Sequence, residues 1–157
     1  MLDVMMKNGN YRVDYLNPLG EHAARMFAFY VCGPVAANEQ YGHDVKKRLF
    51  IGLDVIKRMM GMDYLSAIYL DMNESNNVER PGYEQMKRDL ARGLFRRVFV
   101  LRLDDLFGGS EMMNDLMDFS IQIGGFEVLV YDAYSRQPEP FVFLPYGLMY
   151  ADMPACC

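Results

Sequence analysis

A chain of 157 residues, 52% hydrophobic and 13% aromatic, has the size of one domain and enough apolar mass to pack a core, which argues against intrinsic disorder. A formal charge of -5 and a pI near 5.0 argue against a general nucleic-acid binder, whose affinity rests on Lys and Arg neutralising phosphates. Cys32, Cys156 and Cys157 form no readable disulfide framework, so a reducing cytoplasm is expected; no apolar secretory core stands near the start, and the longest apolar stretches fall short of the roughly 20 residues that span a bilayer.

In chain order, residues 1–25 carry weak periodicity and turn signals at Asn8-Gly9 and Asn17-Pro18, and are expected to form an N-terminal extension that packs on the domain or is partly ordered. The run Met26-Phe-Ala-Phe-Tyr-Val-Cys32, stopped by Gly33-Pro34, predicts a strand buried on both faces. Val45, Leu49, Leu53, Ile56 and Met60 recur at helical spacing, with Lys46, Lys47, Lys57 and Arg58 on other faces and Gly61 as a stop. Residues 65–70 predict a second strand ending at Asp71, before an Asn-rich loop over 72–79. Pro81 then opens a helix whose buried stripe is Tyr83, Met86, Leu90 and Leu94. Residues 97–103 predict a third strand and residues 104–109 a loop. Ser110 is read as the cap of a helix bearing Met113, Leu116, Met117, Ser120 and Ile123, closed by Gly124-Gly125. Residues 126–131 give a fourth strand, and residues 141–144, between Pro140 and Pro145, a fifth at the sheet edge, where proline is tolerated.

This alternation predicts a three-layer α/β domain over residues 26–132, with a mostly parallel four- to five-stranded sheet and helices on both faces. Residues 133–157 are expected to add a C-terminal strand and a tail packed on it. Ligands of such sheets bind beyond the carboxyl ends of the strands, which here carry Gly33-Pro34, Asp71, Asp104-Asp105 and Asp132. The 14 methionines read as adaptable core filling.

The segment Arg80-Pro-Gly-Tyr-Glu-Gln-Met-Lys-Arg-Asp-Leu-Ala-Arg-Gly, then a strand, then Leu103-Asp-Asp-Leu106, with Asp71 upstream of Arg80, resembles the catalytic domain of the serine recombinases, the resolvases and invertases. The resemblance covers roughly residues 26–132 and implies a resolvase-like, flavodoxin-like topology. It also implies DNA strand exchange, in which a serine after the first strand attacks a phosphodiester and arginines stabilise the transition-state charge. The family pattern Tyr-x-Arg-Val-Ser stands here as Tyr30-Val31-Cys32-Gly33-Pro34, so Cys32 replaces an arginine and Pro34 the serine. The family's Asp-Arg-Leu-Gly-Arg stands as Asp104-Asp105-Leu106-Phe107-Gly108, with Asp105 and Gly108 replacing two arginines. Of the implied catalytic set, Asp71, Arg80 and Asp104 remain. The resemblance therefore implies a pseudoenzyme with a degenerate site. Family members continue into a dimer helix and a DNA-binding module; residues 133–157 show no recognition helix or zinc-ligand spacing.

Each candidate has an ordinary reading beside the chemical one. Cys32 is either a thiolate nucleophile or a small buried residue at a strand end. Arg80 either binds phosphate or pairs with Asp71. Asp71, Asp104, Asp105 and Asp132 either gather Mg²⁺ for phosphoryl transfer or nucleotide binding, or serve turns and helix ends. Lys87, Arg88, Arg92, Arg96 and Arg97 belong to a stretch of charge +5 over residues 80–102, against -10 for the remainder. They either touch nucleic acid or an acidic partner, or form a solvated helix face. His22 and His43 are isolated, and no metal or cofactor is expected. The expected function is association with a second copy, a recombinase or another protein, with DNA binding weak or absent and no membrane role. The alternatives are an active site-specific DNA recombinase and a Mg²⁺-dependent phosphoryl-transfer or nucleotide-binding domain.

Overall fold

The computed structural model describes residues 10–17, 25–34, 45–72 and 80–141. His22, His43, Cys156, Cys157, residues 73–79 of the Asn-rich loop and residues 142–157 lie outside these described residues. The elements are β1 (Tyr11–Tyr15), β2 (Phe27–Cys32), α1 (Val45–Val55), β3 (Leu65–Asp71), α2 (Pro81–Ala91), β4 (Arg97–Val100), the short turn α3 (Leu103–Leu106), α4 (Ser110–Ile123), β5 (Glu127–Asp132) and β6 (Gln137–Phe141).

Among the described residues the sheet has six strands in the order β1-β3-β2-β4-β5-β6. The four central strands are parallel and the two edge strands antiparallel to their neighbours. The expected four to five strands thus become six. One addition, β1, lies inside the segment read as an extension, with Tyr11 opposite Asp71 and Tyr15 opposite Ala67. The other edge strand comes earlier than expected: β6 closes a tight hairpin after Asp132 and ends at Phe141, while residues 142–144 fall outside the described residues.

Period-two alternation sorts the strand side chains into two cores. Ala28, Tyr30, Cys32, Tyr69, Val98, Val100 and Val128 pack under α2 and α4, and Phe27, Phe29, Val31, Ile68, Leu70, Phe99 and Leu129 pack under α1. Helices on both faces explain why the central strands read as continuous apolar runs. α1 presses close to β2, because a Cβ on Gly52 would stand 2.0 Å from the Phe29 ring.

Several boundaries move. The third strand stops at Val100, and Leu103–Leu106 is a helical turn where a loop was predicted, closed by Asp105 N–H to Arg102 O at 3.0 Å and Phe107 N–H to Leu103 O at 3.0 Å. Gly109, not Ser110, occupies the cap position of α4, and no side chain caps that end. The buried stripe of α1 is Val45, Arg48, Leu49, Gly52 and Val55, with Ile56 beginning a π turn that runs to Met60; Leu53 and Met60 are only half-buried. α4 ends as predicted at Gly124, whose φ of 85° is a left-handed conformation that glycine adopts without a Cβ clash.

Candidate functional site

The order of the parallel strands reverses between β2 and β4, so the crevice where such sheets hold ligands opens at the carboxyl ends of these strands. Four charged side chains are buried there: Arg48, Asp71, Arg80 and Asp105. Asp71, the last residue of β3, points its carboxylate at the start of α2. It accepts the Gly82 N–H at 2.7 Å and the Tyr83 N–H at 2.8 Å, two amides that lack partners within the helix, and the Tyr30 hydroxyl donates to it at 2.7 Å. A Cβ on Gly82 would meet both Asp71 carboxylate oxygens and the Leu70 carbonyl at 3.0 Å, so this approach needs a glycine. Burial holds the Asp71 carboxyl above the ordinary carboxylate value, outweighing these three hydrogen bonds and the Arg80 charge.

Arg80, just before α2, is fully buried; its terminal nitrogens are committed to protein acceptors, while Nε has none among the described residues. Nη1 donates to the Asp105 carbonyl at 2.8 Å and to the Tyr30 hydroxyl at 3.2 Å, Nη2 donates to the Leu106 carbonyl at 2.5 Å, and the guanidinium lies 4.4 Å from the centre of the Tyr83 ring. It reaches Asp71 through the Tyr30 hydroxyl, so the direct pairing offered as its ordinary reading is replaced by a relay. Asp105 is the second surprise. Its carboxylate is buried and pairs with Arg48 Nη1 from α1 and, at 3.2 Å, with Arg102 Nη2, while Arg48 Nη2 also donates to the Cys32 carbonyl at 2.8 Å. Burial again raises the Asp105 carboxyl, against the pull of both arginines. The α3 turn is thus held by its backbone on Arg80 and by its side chain on Arg48.

Cys32 lies in this cluster with no exposure, and burial pushes its thiol up despite the neighbouring Arg80. A protonated, inaccessible thiol is a poor nucleophile. Pro34 follows at the rim and supplies a carbonyl to the Val45 N–H at 3.4 Å. The remaining acids diverge: Asp104 is exposed, and Asp132 accepts the Ser135 N–H at 3.1 Å in the hairpin turn, which lowers its pKa. Among the described residues no group of three metal-ligating side chains converges.

The basic segment separates as well. Lys87 reaches across to α4, with Nζ 2.9 Å from Asp115 and 3.2 Å from Glu84; Arg88 bonds Gln85, Arg92 bonds Asp89, and Arg97 donates to the Arg25 carbonyl at 2.6 Å. Arg96 is exposed. Arg88, Arg92 and Arg96 keep a solvated face, while Lys87 and Arg97 are drawn into internal contacts.

Three partners were missed from sequence. Arg48 stands three residues after Val45 on the buried stripe of α1, and Asp89 three after Met86 on that of α2. Asp89 accepts the Tyr15 hydroxyl at 2.6 Å and the Tyr69 hydroxyl at 2.7 Å, tying α2 to β1 and β3. Asp115, on α4, takes the Tyr83 hydroxyl at 2.9 Å. A charge at an apolar stripe position is the signal that could have found the first two. No family model and no curated protein matches the chain. No described helix is long and apolar enough to cross a membrane.

Proposed function

We propose that the chain is a resolvase-like scaffold that carries out no phosphoryl transfer and works by associating with a second copy of itself. The observation that carries the first half is Arg80. A cation serves a phosphoryl transition state only if its donors can meet the developing charge, and here the terminal nitrogens donate to two backbone carbonyls and a tyrosine hydroxyl while Nε is buried beneath the surface. The parallel strand order supports a flavodoxin-like ancestry. The Arg80-Pro81-Gly82 motif has a purely architectural use: the arginine clamps α3, the proline opens the helix, and the glycine admits Asp71.

Association is supported by the outer face of α1, where Phe50 is 55% and Ile51 45% exposed. They stand beside Lys47 and the Asp54–Arg58 ion pair, a charged rim to an apolar patch that a second copy related by a two-fold axis can cover. Sedimentation tests this: a concentration-dependent dimer is expected, lost in Phe50→Glu and Ile51→Glu with unchanged thermal unfolding of the monomer. A chain that stays monomeric overturns the association reading. Incubation with supercoiled DNA should yield no covalent adduct on a denaturing gel; an adduct that forms and disappears in Cys32→Ala would reinstate strand exchange.

A further inference from the structure

On the α1 side of the sheet the helix lies over the central strands, and among the described residues the face formed by β5 and β6 is left open beside its last turn. A cavity of about 700 Å³ occupies this space, within the roughly 300–1,000 Å³ of small-molecule sites. Met59, Met60, Leu129 and Pro138 give it apolar walls, and Arg97 and Arg136 give it two cations; among the described residues no acidic side chain lines it. Glu127, opposite Arg97 in the strand register, makes no ion pair with it.

Of the two arginines, Arg97 is partly committed: Nη2 donates to the Arg25 carbonyl at 2.6 Å and the guanidinium lies over the Phe27 ring. Among the described residues the Arg136 guanidinium makes no hydrogen bond or ion pair. Its backbone has a φ of 57°, the left-handed region that non-glycine residues rarely occupy, held in the hairpin by its N–H to the Asp132 carbonyl at 2.8 Å.

We propose that this cavity binds a small organic acid, its aliphatic or aromatic body against Met59, Met60, Leu129 and Pro138 and its carboxylate or related oxyanion accepting from Arg136 and Arg97. The site lies apart from the carboxyl-end cluster and is independent of the association reading. Guanidinium–oxyanion hydrogen bonds are the strong, charge-assisted kind, and an apolar surround sharpens them.

The probe is anilinonaphthalene sulfonate, an aromatic body with one oxyanion, titrated by fluorescence into the full chain and compared with uncharged phenylnaphthylamine. One sulfonate per chain is expected, displaced by laurate. Affinity should fall about tenfold in Arg136→Gly, as for losing one charge-assisted bond, and the uncharged probe should be indifferent to that change. Glycine favours a positive φ, so Arg136→Gly removes the cation without straining the hairpin; Arg136→Asn, which also tolerates that φ, is the second variant. Unchanged sulfonate affinity in both variants, or equal affinity for the uncharged probe, overturns the proposal. So does sulfonate binding that vanishes as the chain dimerises, which would assign the cavity to a second copy.

Discussion

At the carboxyl ends of β2 and β3, Arg48 and Arg80 are sunk among acceptors, their terminal nitrogens donating to a carboxylate, a tyrosine hydroxyl and three backbone carbonyls. Beside the β5–β6 hairpin, Arg136 stands over an apolar surface with its guanidinium unpaired among the described residues, and Arg97 gives one donor to the Arg25 carbonyl. The same side chain is mortar in one place and a means of recognition in the other, and what separates the two is what its removal leaves behind. Deleting a buried cation strands desolvated acceptors; deleting an exposed one strands no protein group.

Arg80→Ala should therefore have the largest effect, a loss of about 3–5 kcal/mol in urea unfolding, because Asp71, Tyr30 and two carbonyls lose their compensation at once. A loss under about 1 kcal/mol would erase the contrast between the regions. Gly82→Ala comes next, at about 1–3 kcal/mol, as its methyl drives the Asp71 carboxylate off the helix start. A chain of unchanged stability would mean that the approach of Asp71 to α2 is not needed.

Asp71 gives a pH test. Its folded pKa is raised by burial, so the native state holds that proton more tightly than the unfolded chain does. The carboxylate's cost is full above the raised pKa and is relieved as pH falls through it toward the unfolded value near 4. The parent should gain on Asp71→Asn when urea midpoints are compared at about pH 7.5 and then about pH 5. A gap moving the other way would mean that the three hydrogen bonds, not burial, govern this carboxyl. The smallest effect belongs to Arg136→Gly, expected to leave stability unchanged or raise it by up to about 1 kcal/mol by relieving the left-handed backbone. A marked loss would show that Arg136 is structural too, and would sharpen the boundary between the regions.

The central strands, α2 and α4 were legible because each carries its own local pattern: unbroken apolar runs, Pro81 at a helix start, Gly124 at a helix end. The α1 stripe was legible in period but not in phase, since it assigned Leu53 to the core and passed over Arg48, whose burial rests on Asp105, 57 residues away, and on the Cys32 carbonyl. Asp105 looked like a loop acid for the same reason. β1 was hidden by its edge position: Tyr11 and Tyr15 are half-exposed, and the strand is fixed by pairing with β3 and by Tyr15 reaching Asp89. Asp71 and Arg80 were identified as a pair of interest; their connection through Tyr30, which no spacing encodes, was not.

The hairpin at the end of the described chain has a consequence for how the molecule avoids growth into larger sheets. Gln137, Glu139 and Phe141 pair toward β5, so Pro138 and Pro140 alternate along the rim of β6. Proline has no amide hydrogen, and a rim without donors cannot template an incoming strand. Polymerisation by strand addition is thereby barred on that flank, and replacing both prolines with threonine would equip it with the two missing donors and invite fibrils.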